Sequence, residues 1–75
     1  MQQIIHARIF FEDGMYTADC GDIPVVTQGK TFDEVIENLK EAVELFLEDE
    51  QDRKQYHLTH TPSILVNYEL LPEYA

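Results

Sequence analysis

The stretch Gly21-Asp22-Ile23-Pro24-Val25-Val26-Thr27-Gln28-Gly29-Lys30-Thr31-Phe32-Asp33-Glu34-Val35 decides the reading of this chain. Pro24 has no amide hydrogen to offer a ladder and holds Ile23 in extended backbone, so the strand before it must break there. Val25 to Gln28 is β-branched enough for a short strand, which Gly29-Lys30 closes. Thr31 follows as a helix N-cap with Glu34 three residues on, the spacing of a capping box that satisfies two otherwise orphaned amides. Strand, turn and helix start are written into one continuous segment.

Downstream, Phe32, Val35, Ile36, Leu39, Ala42, Val43, Phe46 and Leu47 recur with a period of about 3.6 residues, the stripe of a helix running to near Glu50. The opposite side carries Asp33, Glu34, Glu37, Lys40, Glu41, Glu44 and Glu48. Upstream, Gln3 to Phe11 alternates as a strand, Glu12-Asp13-Gly14 supplies a turn with Gly14 free to take positive φ, and Met15 to Cys20 resumes extended backbone as a hairpin partner. Gln51 to Thr61 is polar and Pro62 opposes helix, so a connection is expected there, followed by a last strand over Ser63 to Leu70. The expected fold is α+β in βββαβ order: a three-stranded antiparallel sheet plus a fourth strand, with one helix on one face. Residues 1–75 make a single domain, since so short a chain has no room for a second core.

Fifteen acidic residues against five basic ones leave a formal net charge of −10. Such a field repels nucleic acid and anionic membrane surfaces and favours a basic partner. A lone cysteine, Cys20, excludes an internal disulfide and any multi-cysteine zinc site. The N-terminal Met1 to His6 has neither the basic region nor the apolar run of a leader, which makes the cytoplasm the expected location.

No residue grouping is expected to carry catalysis, a cofactor or a metal. Glu12, Asp13, Asp19 and Asp22 include too many turn acids to form a two-metal cluster. His57 and His60 lack the Glu of a zinc helix and a third nearby donor, and read as a solvated loop. The surface is left to do the work. Asp19 and Asp22, at the end of the second strand, are candidates for partner contact. So is the helix stripe Glu37, Glu41, Glu44 and Glu48, whose acids at i,i+4 repel one another by a few tenths of a kcal/mol unless a basic surface covers them. Arg8 and Phe10 lie on a sheet face that one helix leaves open, which points to a homodimer through that face or a sheet edge.

Asp22-Ile23-Pro24, Thr27-Gln28-Gly29-Lys30-Thr31 and Asp33-Glu34-Val35, followed by Asn38 and Ala42, resemble the HicB family of antitoxins over the segment Tyr16 to Asp49. The chain departs from the family's usual residues at Gly21, Val25 and Val35. The resemblance implies a partial ribonuclease-H-like domain whose last strand returns by a right-handed crossover to lie beside the first. It also implies a cytoplasmic antitoxin that binds and occludes a small basic HicA-type mRNA-cleaving toxin. The net acidity suits that role, because a nuclease that handles phosphates carries a positive surface. Family members that bind DNA do so through a further domain, so operator binding is outside this expectation. The alternative is a stand-alone structural or regulatory domain of the same fold without a toxin partner.

Overall fold

Asp13 and Gly14 take the chain through its first reversal with φ of 54° and 77°. Two successive positive φ values are what a two-residue hairpin turn needs to match the twist of its strands, and Asp-Gly is the dipeptide that adopts them most easily. The computed structural model, which describes residues 2–69, places this turn between β1 (Gln2–Glu12) and β2 (Met15–Cys20). Glu12 pairs with Met15 and Ala7 with Cys20.

β2 ends at Cys20, and the break that the sequence demands runs over Gly21 to Pro24. The Val25 N–H donates to the Ile23 carbonyl at 2.8 Å across the proline, a tight three-residue turn that suits its locked φ. β3 follows over Val26–Gly29, one residue later than the β-branched run suggests, because Val25 is used in closing this turn on the Cys20 amide at 3.0 Å. Gly29 is buried, and a Cβ there would stand 2.5 Å from the Val35 backbone nitrogen. It is glycine because β3 and the first turn of the helix touch backbone to backbone.

α1 spans Phe32–Glu48 with Thr31 as its N-cap. The Glu34 N–H donates to Thr31 Oγ1 at 3.1 Å, while the Glu34 carboxylate accepts from the Lys30 N–H at 2.9 Å, one residue before the amide that a capping box would use. Val35, Leu39 and Val43 are buried by α1, each contributing roughly 1.5 to 3 kcal/mol. Asn38 bridges to the sheet through Nδ2, which donates to the Gln28 carbonyl at 2.7 Å.

The polar connection contains more structure than its composition suggests. Asp49 leaves helical backbone and accepts from the Gln51 and Asp52 amides, so it ends α1 and starts a short α2 over Glu50–Gln55. Tyr56 packs on Phe46 with ring centroids 5.5 Å apart, and His57 turns the chain with φ of 56°. β4 then runs Leu58–Tyr68, beginning well before Ser63. Pro62 does not exclude it. The register with β1 slips between Gln2↔Leu58 and Ile4↔Ser63, and the excess residues on β4 form an irregularity that holds the proline. The expected loop at His60 is therefore strand, and Leu70 lies outside the described residues.

The sheet order is β3-β2-β1-β4, antiparallel except for the parallel pair β1 and β4. The architecture is α+β: a four-stranded mixed sheet with one main helix and one short one. Ile5, Ala7, Ile9, Ala18, Cys20 and Leu58 meet Val35, Leu39 and Val43 in the core, with Ile23 and Val25 sealing it from the turn.

Candidate protein-binding surfaces

Each strand presents alternate residues to opposite faces, and α1 covers one face only. The helix side takes Ile5, Ala7 and Ile9 of β1, opposite Ile64, Val66 and Tyr68 of β4. The other side carries Ile4, His6, Arg8 and Phe10 of β1, Asp19 of β2, Val26 of β3 and Leu65 of β4. No element among the described residues packs over this second side. Ile4, Val26 and Leu65 are exposed on it, and the Arg8 guanidinium lies 5.1 Å above the Phe10 ring.

The acidic candidates divide between the two sides. Glu37, Glu41, Glu44 and Glu48 all stay exposed along the outer surface of α1. Lys40 reaches Glu37 at 3.4 Å, a solvent-exposed pair. Leu45, 67% exposed, borders the stripe and gives it an apolar edge. Asp19 stands instead on the open sheet face, opposite Arg8 and Val26. Asp22 has a local role: its Oδ2 accepts from the His6 N–H at 2.7 Å and lies 2.9 Å from His6 Nδ1, which ties the turn after β2 to β1. The fold thus brings the four helix acids together and sets them apart from Asp19 and Asp22.

An aromatic cluster is the feature that local reading misses. Phe11 and Tyr16, paired across the hairpin, have ring centroids 4.8 Å apart, and Tyr68 sits 5.2 Å from Phe32 and 6.2 Å from Tyr16. These rings close the helix-side core at the hairpin end, yet Phe11, Phe32 and Tyr68 remain exposed on their outer edges. The Phe11–Tyr16 pairing was available from the hairpin register. The arrival of Tyr68 was not, because it depends on β4 returning beside β1. Partial desolvation among the rings, then Tyr16, holds the Tyr68 phenol above its ordinary range.

Cys20 is buried in β2, and desolvation pushes its thiol from 9.0 up to about 11, with the charges of Asp19 and Asp22 adding to the rise. A thiol held neutral is a packing residue rather than a nucleophile. His57 lies in the turn before β4, and among the described residues no three His, Cys, Asp or Glu side chains converge on a metal-sized site. No helix among them is long and apolar enough to cross a membrane.

No protein-family model, no curated protein and no solved structure matches this chain. What its geometry defines is a small α+β module whose polar and apolar features lie on open faces.

Proposed function

We propose that this chain is an antitoxin of the HicB type, acting in the cytoplasm by stoichiometric binding to a small basic mRNA-cleaving toxin, with no chemistry of its own. The observation that carries the reading is the exposed stripe Glu37, Glu41, Glu44 and Glu48 on α1, bordered by Leu45. Glu48 lies in the last turn of α1, where no basic residue offsets it, so the stripe opposes the helix dipole as well as itself. A basic partner surface removes both penalties and finds an apolar anchor beside the charges. The strand order, with β4 parallel to β1, accords with the partial ribonuclease-H-like topology that the resemblance implies.

Co-expression with the adjacent reading frame tests the proposal. The expected result is a toxic neighbour, growth rescued by this chain, co-purification of the two, and loss of both rescue and co-purification when Glu41 and Glu44 are changed to Lys. A neighbour that is harmless, or toxic and not rescued, overturns the antitoxin reading in favour of a solitary regulatory domain.

A further inference from the structure

The sheet has two outer edges, and they are treated differently. On β3 the residues facing outward are Val26 and Gln28, because Thr27 and Gly29 are turned toward β2 by the antiparallel register. Asn38 closes this edge by donating Nδ2 to the Gln28 carbonyl at 2.7 Å. Among the described residues nothing comparable covers β4. The Glu69 N–H donates to the Ile9 carbonyl at 3.0 Å, which fixes the phase of the parallel ladder: Leu65, Asn67 and Glu69 address β1. Ile64, Val66 and Tyr68 therefore direct their N–H and C=O groups away from the sheet, and among the described residues no strand pairs with them.

Three further features describe what fits there. Charged residues make up 27% of the chain, yet Leu58–Tyr68 contains no Asp, Glu, Lys or Arg. Edge strands that must stay unpaired usually carry such charges. In a molecule of net charge −10, a strand without charged residues lowers the repulsion that a second copy meets there. Finally, α1 leans over the β3 and β2 half of the sheet, so Ile64 and Val66 are only half-buried on the helix side and Tyr68 is 42% exposed. A groove of about 440 Å³ opens between α1 and β4, with Val43, Leu47, Pro62 and Ile64 as its apolar walls and Lys40, Glu44 and Thr61 also lining it.

We infer that this chain forms a homodimer by antiparallel pairing of β4 with β4 of a second copy across a two-fold axis, giving one continuous eight-stranded sheet. A two-fold axis makes the pairing antiparallel and self-complementary without further requirement. With the axis at Val66, Val66 faces the partner's Val66 and Ile64 faces the partner's Tyr68, so each outward amide finds a carbonyl. The exposed side of the partner's Tyr68 then comes to the mouth of the groove beside Ile64, combining edge pairing with burial of the under-covered row. This inference is independent of the toxin reading.

Val66→Pro is the discriminating variant. Its ring replaces an outward N–H and leaves the bonds to β1 in place, which is where an edge strand tolerates proline. Sedimentation equilibrium should show a dimer for the unmodified chain and at least about tenfold weaker dimerisation for the variant, since two symmetry-related bonds are removed. Leu45→Lys, on the helix, should dimerise normally. Amide exchange by NMR supplies a signature specific to this edge: Leu65 and Asn67 slow at every concentration, Ile64, Val66 and Tyr68 slow only where the dimer forms. Retained slow exchange at Leu65 and Asn67 certifies that Val66→Pro is folded, and Tyr68→Glu replaces it if it is not. A chain that stays monomeric to high micromolar concentration overturns the inference. So does a dimer with freely exchanging Ile64, Val66 and Tyr68 amides, or one broken by Leu45→Lys and not by Val66→Pro.

Discussion

Cys20 turns its thiol into the core from β2, and its burial has a consequence for stability at alkaline pH. The unfolded thiol loses its proton from about pH 9, while the folded one keeps it to about pH 11. Between those values the unfolded state binds fewer protons, so stability falls as pH rises, by about 2 to 3 kcal/mol in all from this group. Denaturant unfolding across that range should show a steeper decline for the native chain than for Cys20→Ala, and iodoacetamide should modify Cys20 at pH 8 only when denaturant is present. Gly29 makes a different residue-scale point. Its φ is one that any residue can adopt, but an added Cβ would stand 2.8 Å from the Val35 Cα and closer still to its nitrogen. Gly29→Ala should destabilise by about 1 to 3 kcal/mol as β3 and α1 are forced apart, measured by urea unfolding. The sequence marks Gly29 as a turn glycine. The contact that requires it is visible only once the helix is docked.

At the scale of elements, α1 shows a conflict between local stability and surface. Its first turn carries Asp33 and Glu34, which suit the positive end of the helix dipole, but its last turn has no basic residue and includes Glu48. Glu48→Lys removes repulsion from Glu44, creates a favourable i,i+4 pair and satisfies the dipole. It should raise stability by about 0.5 to 1 kcal/mol while weakening association with a basic partner. Opposite signs for the two measurements are the mark of a surface kept acidic for binding, whereas improvement in stability with unchanged partner affinity would locate the contact elsewhere. The start of α1 is legible because capping, periodicity and the glycine turn all act within a few residues of one another. The region from Asp49 to Pro62 is not: Asp49 serves two helices at once, Tyr56 is held by Phe46, and Pro62 is tolerated because β4 slips its register beside β1. Those outcomes depend on partners distant in the chain.

For the whole molecule, the formal charge of −10 governs approach to any partner. Charges on exposed surfaces are screened beyond about 10 Å at 0.1 M salt, so association with a basic protein should slow markedly between low and physiological ionic strength, as read by stopped-flow. A rate indifferent to salt would mean that the acidity serves solubility alone. The same charge makes the neutral run Leu58–Tyr68 conspicuous, and dimerisation through it should vary far less with salt than capture of a basic partner does. The candidate site was half legible. The stripe Glu37, Glu41, Glu44 and Glu48 follows from helical period alone, but its separation from Asp19, the engagement of Asp22 by His6, and the ring cluster around Tyr16 follow from which strands lie side by side. The sequence by itself determined the α+β composition, the hairpin, the cap at Thr31 and the two faces of α1, because each rests on neighbours within a turn or a pleat. Only the tertiary structure decided which face stays open and that, among the described residues, β3 is closed by Asn38 while β4 is not. Those facts arise from β4 pairing with β1 across more than half the chain, and no local periodicity encodes that pairing.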